Sequence, residues 1–293
     1  MKKRYKLSTR YLIVGWLFIV PAAAFLIFSK FYPMVKALIL SFQSGVGLNL
    51  QFAGLHNYTH MLKDKLFWTS LTNTVIYLAI QVPVMLSLAL ILATVLNDKR
   101  LKCKGFFRTA LFLPCVTALV SYSLVFRTMF SLNGLINTTL INLGVIDTGI
   151  NWLANAWLAR LVIILAITWR WTGYNTIFYM AGLQQIDPEI YEAARIDGAS
   201  AVKSFFKITL PLLKPMILLT VITSTNGTLQ LFAEPKNITN GGPANATIAV
   251  SNYIYSLSFE YMPQFGYAAA ISYVVFIIVA ILALIQMKVG DKR

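Results

Sequence analysis

Long apolar runs alternate with shorter polar stretches along the whole chain. A helix needs roughly 20 mostly apolar residues to cross the hydrocarbon core of a membrane. Runs of that size predict six transmembrane helices, at residues 12–32, 70–96, 106–130, 157–183, 208–232 and 265–287. The pattern therefore predicts an all-α membrane protein, in which a basic segment at 1–11 precedes a single transmembrane domain at 12–293.

Composition supports a membrane protein over a soluble one. Hydrophobic residues make up 58% of the chain and charged residues only 12%, whereas about a quarter of the residues in a soluble domain are charged. The net charge of +15 could indicate nucleic-acid binding, but the basic residues lie between apolar runs, so we expect contact with membrane lipid and none with nucleic acid. Cys103 and Cys115 lack metal-ligand spacing and are interpreted as packing residues.

The basic residues also predict the orientation. Cytoplasmic loops are enriched in Lys and Arg, and here these residues precede span one, join spans two and three, join spans four and five, and follow span six. They are Lys2, Lys3, Arg4, Lys6, Arg10, Lys99, Arg100, Lys102, Lys104, Arg108, Arg195, Lys203, Lys207, Lys214, Lys288, Lys292 and Arg293. Of the opposite loops, 133–155 has no basic residue and 234–261 has only Lys236. Both termini are therefore predicted to be cytoplasmic, and the first span is predicted to be uncleaved because no small-x-small site follows it.

The segment at 187–215, between spans four and five, is rich in signals for helix ends. Asp187 can cap the free amides of a helix that begins at Pro188, and Glu189 complements the positive end of the helix dipole. Gly198 permits a tight turn, after which Ser200 can cap a second helix. Local chemistry predicts two short helices around a glycine and leaves open whether they are a solvated loop or a docking surface.

Within this segment, Glu192-Ala193-Ala194 is followed by Asp197-Gly198-Ala199 and then by Ile208, Leu210-Pro211 and Pro215. The series resembles the EAA motif of permease subunits in binding-protein-dependent ABC importers. The resemblance implies the six-span type I importer permease fold, with a coupling helix between spans four and five that docks in a cleft of a cytoplasmic ATPase. The coupling residues it implies are Glu192, Ala193, Ala194, Asp197, Gly198, Ala199 and Phe206.

A second region narrows the resemblance. The stretch 231–270 contains Ile238-Thr239-Asn240-Gly241-Gly242-Pro243, Thr247, Tyr253-Ile254-Tyr255 and Gly266-Tyr267. Taken alone it is an ordinary Gly-Pro turn, but it is similar to the outer loop and last span of carbohydrate permeases of the maltose, glycerol-phosphate and multiple-sugar type. The short first outer loop, 45–67, leaves no room for the extra domain of the larger maltose-type subunit. The resemblance implies a sugar substrate, most simply a di- or oligosaccharide.

The resemblance also implies partners and a location. These are a second homologous permease subunit, two cytoplasmic ATPase subunits and an extracellular sugar-binding protein, in a bacterial cytoplasmic membrane. The sequence lacks the G-x-x-x-x-G-K-[ST] loop that holds nucleotide phosphates, so ATP and Mg are expected on the partner ATPase and no cofactor on this chain. We expect a transport subunit that uses alternating access, with no enzymatic activity of its own.

Polar and aromatic residues at membrane depth are candidates for the sugar pathway. Sugars present hydroxyls and apolar ring faces, which amide, carboxylate and aromatic side chains can bind. The candidates are Tyr174, Asn175, Asn226, Gln230 and Glu234. Hydrogen bonding between helices is an equal alternative for Asn226 and Gln230.

Three further residues in the spans are assigned other roles. Arg170 is expected to pair with backbone carbonyls or a neighbouring subunit, because an unpaired charge is costly in a membrane. Gln81 and Pro83 are expected to serve a kink in span two and its packing.

Two rival functions are weighed against an ABC permease. An ion-coupled secondary transporter needs buried relay residues, and acidic residues are scarce in the spans. A membrane enzyme needs paired carboxylates or metal ligands. The acidic cluster at 187–197 is explained by helix capping and docking, and His56 and His60 lack a third ligand, so we expect neither catalysis nor a metal site.

Overall fold

The computed structural model describes residues 9–98 and 100–290, which divide into two compact units. The first unit takes the chain up to Lys63 together with Ser256–Val274, and the second takes Asp64–Tyr255 together with the chain from Val275 onward. Most of the predicted basic segment at 1–11 lies outside the described residues. So do Lys99, Lys292 and Arg293, which contribute to the predicted orientation.

The first unit begins with one long helix and contains the two strands of the described chain. Its elements are α1 (Thr9–Leu26), a π-helical turn (Ile27–Phe31), α2 (Tyr32–Ser41), β1 (Gln43–Val46), β2 (Asn49–Phe52), α3 (His56–Lys63) and a π-helical turn (Ser256–Glu260). The strands pair antiparallel, with Val46 opposite Asn49, and Gly47 supplies the positive φ that this tight turn requires. The predicted all-helical chain therefore contains one small hairpin, which sequence analysis missed because its strands are only four residues long.

The second unit is helical apart from turns and loops. Its helices are α4 (Lys65–Asn97), α5 (Lys104–Val116), α6 (Leu119–Met129), α7 (Leu135–Asn142), α8 (Ala156–Leu183), α9 (Pro188–Ile196), α10 (Ala201–Ser204), α11 (Leu210–Leu212), α12 (Lys214–Leu229), α13 (Val250–Tyr255) and the second part of α14 (Phe265–Gly290). Two π-helical turns, Phe205–Thr209 and Pro235–Thr239, precede α11 and follow α12.

Helices occupy all six predicted spans, but they differ in how well they suit a membrane. Tyr11–Ser41, Lys65–Asn97 and Phe265–Gly290 are each long and apolar enough to cross alone. Two pairs of helices, α5 with α6 and Ala201–Leu212 with α12, qualify only as bent spans, with bends of 97° and 68°. Helix α8 has 28 residues but carries Arg160 and Arg170, and it is not among the candidates. Three to five spans are supported, and six remains a prediction.

Small residues bring the central helices of the second unit together. Ala89 and Ala93 of α4 and Ala159 and Ala166 of α8 are fully buried. A Cβ placed on Gly173 of α8 would lie 1.7 Å from the carbonyl oxygen of Leu111 in α5. Since that distance is far inside van der Waals contact, only glycine allows α5 to approach α8 this closely.

Arg170 stabilises the bend between α5 and α6. Its Nη1 donates to the carbonyl of Thr117 at 2.8 Å and its Nη2 to the carbonyl of Cys115 at 3.2 Å. The bend leaves these carbonyls without helical partners, and at membrane depth an unpaired carbonyl costs several kcal/mol. The predicted pairing of Arg170 with backbone carbonyls is therefore confirmed.

Candidate functional site

A cavity of about 440 Å³ lies in the second unit, bounded by α4, α8, α12 and the chain that follows α12. It brings together four of the five predicted pathway residues, namely Tyr174, Asn175, Gln230 and Glu234. The fifth, Asn226, is not in the lining, but its Oδ1 accepts a hydrogen bond from Gln230 Nε2 at 2.6 Å. This hydrogen bond connects Asn226, in the last turn of α12, to Gln230 in the cavity lining.

Aromatic side chains form one wall of the cavity. The rings of Trp171 and Tyr174 meet edge to face with their centroids 5.7 Å apart, and Tyr174 is 36% exposed. Met85 and Ile167 extend the apolar surface. An exposed aromatic face of this kind can stack on the apolar face of a ring-shaped ligand.

Amide groups also line the cavity, and hydrogen bonds hold two of them in place. Asn175 is 2% exposed, and its Nδ2 donates to the carbonyl of Trp171 at 3.0 Å. Gln81 is 1% exposed, and its Oε1 accepts from the Thr228 hydroxyl at 3.0 Å. Sequence analysis assigned Gln81 to packing, whereas the structure places it in the cavity wall. The sequence does contain a pattern that could have indicated this. Asn73, Tyr77 and Gln81 recur at every fourth position of α4 and so share one polar face.

Glu234 carries the one formal charge among the described residues that line the cavity. It follows α12 and is 3% exposed, and its carboxylate accepts a hydrogen bond from the hydroxyl of Tyr122 in α6. Sequence analysis did not single out Tyr122, and no motif marks it.

The Arg170 guanidinium stacks on the Tyr122 ring of this pair. Its central carbon is 4.7 Å from the centre of the Tyr122 ring, and Arg170 is 6% exposed. Its Nη atoms are committed to the carbonyls at the α5–α6 bend. Arg170 therefore supports Tyr122 and Glu234 without belonging to the cavity lining.

The Gly-Pro loop that resembles carbohydrate permeases is fastened to the helices beside the cavity. Arg160 donates to Asn73 Oδ1 at 2.9 Å and to the carbonyl of Ala246 at 2.9 Å. Asn73 in turn donates to the carbonyl of Ile248 at 3.0 Å, and the Tyr77 hydroxyl donates to that of Thr247 at 3.0 Å. Polar residues of α4 and α8 thus replace the regular hydrogen bonds that this loop lacks.

The 187–215 segment has the local structure predicted for it. Asp187 caps α9 by accepting from the Glu189 amide at 3.0 Å, and the Ser200 hydroxyl accepts from the Lys203 amide at 3.3 Å to cap α10. Gly198 lies between them with a φ of +76°. Two short helices around a glycine are therefore confirmed.

Most of the implied coupling residues face outward. Glu192, Ala193, Asp197, Gly198 and Phe206 are exposed, Ala199 is half-buried and Ala194 is buried. Three apolar side chains stand out beside them, since Ile196 is 88%, Val202 67% and Phe206 60% exposed. Ile196 and Val202 were not among the predicted residues, although the amphipathic pattern of α9 and α10 could have indicated them.

His56 and His60 belong to the first unit, whereas every predicted site residue belongs to the second. Together with Gln264, Tyr267 and other residues they line a small polar pocket of about 290 Å³, in which the His60 ring meets Tyr267 at a centroid distance of 4.8 Å. The packing of the ring against Tyr267 accounts for His60 without any ligand.

Comparison with known proteins establishes the class. Residues 62–290 match the family described as binding-protein-dependent transport system inner membrane component. The chain belongs to this family, and its relatives make it a permease of the carbohydrate ABC importers, a multi-pass membrane protein.

Three of the relatives are named as sugar transport permeases and match this chain over most of their length. The lactose transport system permease protein LacF of Rhizobium radiobacter is 50% identical over 292 residues, which cover 99% of this chain and 98% of that protein. AraP of Halalkalibacterium halodurans, an arabinooligosaccharide transport permease, is 34% identical over 96% of this chain and 90% of its own length. MalF of Thermococcus litoralis, a trehalose/maltose transport permease, is 32% identical over 98% of this chain and 97% of its own length.

A solved structure shares the fold. A chain of a bacterial ABC transporter involved in the import of the acidic polysaccharide alginate superposes with a TM-score of 0.86, covering 97% of this chain and 96% of that one. Its sequence identity is 19%, so the likeness concerns the fold alone.

Proposed function

We propose that this chain is one of two permease subunits of an ATP-driven importer, and that a di- or oligosaccharide crosses the membrane through the 440 Å³ cavity by alternating access. Lactose is the first sugar to test, because the relative that is 50% identical is a lactose transport permease. The remaining partners are a homologous permease, two cytoplasmic ATPase subunits and an outer sugar-binding protein.

The observation that carries this proposal is the mixed lining of the cavity. Trp171 and Tyr174 offer ring faces, Asn175 and Gln230 offer amides, and Glu234 offers a carboxylate. Sugar recognition needs this combination, since each sugar ring has apolar faces and a rim of hydroxyls. The cavity also has room for a disaccharide, because ligand pockets of about 300–1,000 Å³ accept molecules of that size.

The 187–215 segment supports a separate energy source. It carries three exposed apolar side chains, Ile196, Val202 and Phe206, in the same segment as the exposed Glu192 and Asp197, and exposed apolar side chains favour docking to another protein. We assign this surface to the ATPase, which would bind ATP and Mg. The positive-inside rule puts the segment and both termini on the cytoplasmic side, the side on which an ATPase must be.

The cavity can be blocked without disturbing the fold. Gly227 lies in the lining, and a Cβ placed on it would meet no atom within 4 Å, so Gly227→Phe should fill the cavity while α12 remains intact. Gly105→Phe is the matched control, because Gly105 is also helical, also has open space around its Cβ position and lies outside the lining.

Uptake of radiolabelled lactose by the whole transporter decides the proposal. We expect Gly227→Phe to reduce the uptake rate at least about tenfold, while Gly105→Phe retains it within about twofold. Equal uptake by both variants would show that the sugar takes another route.

A further inference from the structure

The charges around the cavity are unevenly distributed. Among the described lining residues, Glu234 alone bears a formal charge, and no lysine, arginine or histidine reaches the lining. Two cations lie near the lining without being part of it. Arg170 stacks on Tyr122 and donates to the carbonyls of Cys115 and Thr117, and Lys236 lies over the ring of Tyr255. A ligand in the cavity therefore meets a carboxyl group in the lining, whereas both cations contact aromatic rings outside it.

This arrangement has a direct consequence for a charged sugar. A carboxylate or sulfate entering the cavity would lose its hydration without gaining a cationic partner, and it would be repelled by Glu234. An uncharged sugar can instead donate its hydroxyl protons to the Glu234 carboxylate in charge-assisted hydrogen bonds. The aromatic wall and the amides serve both kinds of sugar equally, so they do not discriminate between them.

We propose that the cavity selects uncharged saccharides and rejects anionic ones, that Glu234 is the specificity-determining residue, and that Tyr122 is its positioning residue. The proposal rests on the proposed function, since it assumes that sugar occupies the cavity. Tyr122 fixes the Glu234 carboxylate by its hydrogen bond and is itself held by the Arg170 guanidinium at 4.7 Å. Loss of the Tyr122 hydroxyl should therefore loosen the carboxylate without changing any charge.

Two sugars that differ only in charge provide the test. The first probe is lactose in which C6 of the galactose unit is oxidised to a carboxylate, and the second is the primary amide of the same acid. Binding of each, and of lactose itself, is measured by calorimetry on the complete permease–ATPase complex in nanodiscs at pH 8. The outer binding protein is omitted so that its own selectivity does not contribute.

The expected result is a difference in Kd between the two probes. The wild-type complex should bind the amide at least about tenfold more tightly than the carboxylate, as expected for like charges a few ångströms apart in a partly desolvated site. Glu234→Gln should reduce this ratio to within about threefold. Asp147→Asn is the matched control, because it removes an exposed carboxylate outside the lining and should preserve the full ratio.

Tyr122→Phe tests the positioning role. It keeps the ring on which Arg170 stacks but removes the hydroxyl that Glu234 accepts from. The ratio of the two Kd values should fall between those of the wild type and Glu234→Gln, while lactose itself binds within about threefold of the wild type. A purely structural role would weaken all three sugars alike and leave the ratio unchanged, which would overturn the assignment of Tyr122.

The failure of this inference can be distinguished from failure of the proposed function. Equal binding of carboxylate and amide, or an unchanged ratio in Glu234→Gln, would overturn the selectivity while lactose binding remained sensitive to Gly227→Phe. Lactose binding that Gly227→Phe left unchanged, or no binding of any of the three sugars, would overturn occupation of the cavity and the selectivity with it.

Discussion

The cavity and the 187–215 segment use polar residues in opposite ways. In the cavity, Gln81 and Glu234 are buried, and each has a hydrogen-bond partner far along the chain, Thr228 for Gln81 and Tyr122 for Glu234. In the 187–215 segment the capping side chains of Asp187 and Ser200 bind amides two or three residues away, and apolar side chains face outward. The first region is organised without a ligand, whereas the second presents the exposed apolar side chains on which we propose that the ATPase docks.

If this contrast is correct, substitutions near the cavity should lower the free energy of unfolding. Substitutions in the 187–215 segment should instead weaken the coupling of transport to the proposed ATPase. Two glycines illustrate it. Gly173 is required because α5 approaches it closely, whereas Gly198 is exposed and is required only for its positive φ.

Gly173→Ala should have the largest effect on stability. Its new Cβ would overlap the Leu111 carbonyl, and relief requires α5 and α8 to separate, which we expect to cost about 4 kcal/mol. The free energy of unfolding in mixed micelles measures this. Gly227→Ala is the control, because a Cβ on Gly227 meets no atom within 4 Å, and it should change the free energy of unfolding by less than about 1 kcal/mol. Similar losses in both variants would show that the close approach of α5 does not require Gly173.

Arg170→Met should be the next most damaging change. It leaves the carbonyls of Cys115 and Thr117 without donors at the α5–α6 bend, for an expected loss of about 3 kcal/mol. The measurement is again the free energy of unfolding, with the exposed Arg127 of α6 changed to Met as the control. A loss below about 1 kcal/mol in Arg170→Met would show that the bend does not depend on these hydrogen bonds.

Asn73→Ala should have an intermediate effect that centres on the Gly-Pro loop. The change removes hydrogen bonds to the carbonyls of Asn245 and Ile248 and leaves Arg160 with only one of its acceptors, at an expected cost of about 2 kcal/mol. Limited proteolysis should then cut the 239–249 loop faster than in the wild type. Unchanged cleavage would mean that the loop is held by other contacts.

Gly198→Ala should cost only about 1 kcal/mol, because an L-residue is forced into the left-handed region but meets no neighbouring atom. The larger effect should be on transport, since the angle between α9 and α10 shapes the proposed ATPase surface. If Gly198→Ala lost about 1 kcal/mol of stability and the whole transporter still took up sugar at the wild-type rate, this role of Gly198 would be contradicted.

Phe206→Asp should leave stability unchanged within about 0.5 kcal/mol, because Phe206 is 60% exposed. Co-purification of the ATPase, however, should fall at least about tenfold, since a charge in the apolar part of an interface is costly. Lys203 is exposed and lies about one turn of helix before Phe206, so Lys203→Asp is the control for the introduced negative charge. Equal loss in both variants would point to electrostatics rather than to the apolar contact.

The same contrast explains which parts of the molecule sequence analysis could predict. The caps at Asp187 and Ser200 and the turn at Gly198 follow from residues two or three positions apart, so local chemistry was sufficient. Tyr122 and Glu234 are 112 residues apart and Gln81 and Thr228 are 147 apart, so no local pattern pairs them. Four of the five predicted pathway residues nevertheless line one cavity, because polar groups in apolar helices are rare enough to be recognised one at a time. Their role in the pathway stays a prediction.

The bends limited the prediction of spans in a similar way. Apolar length alone predicted continuous helices at 106–130 and 208–232, yet these regions are bent by 97° and 68°. The first bend depends on Arg170, which lies in another predicted span. A tertiary contact of this kind overrides the local tendency to continue a helix.

We propose that the energy for sugar movement comes from a partner that hydrolyses ATP. Proteoliposomes that contain the complete transporter and its outer binding protein allow a direct measurement of lactose accumulation with internal ATP or with an imposed proton gradient. We predict that lactose accumulates with internal ATP and that the imposed proton gradient does not change this accumulation. Replacing ATP with ADP, or introducing Phe206→Asp, should abolish it. Accumulation that followed the proton gradient and continued without ATP would contradict the account.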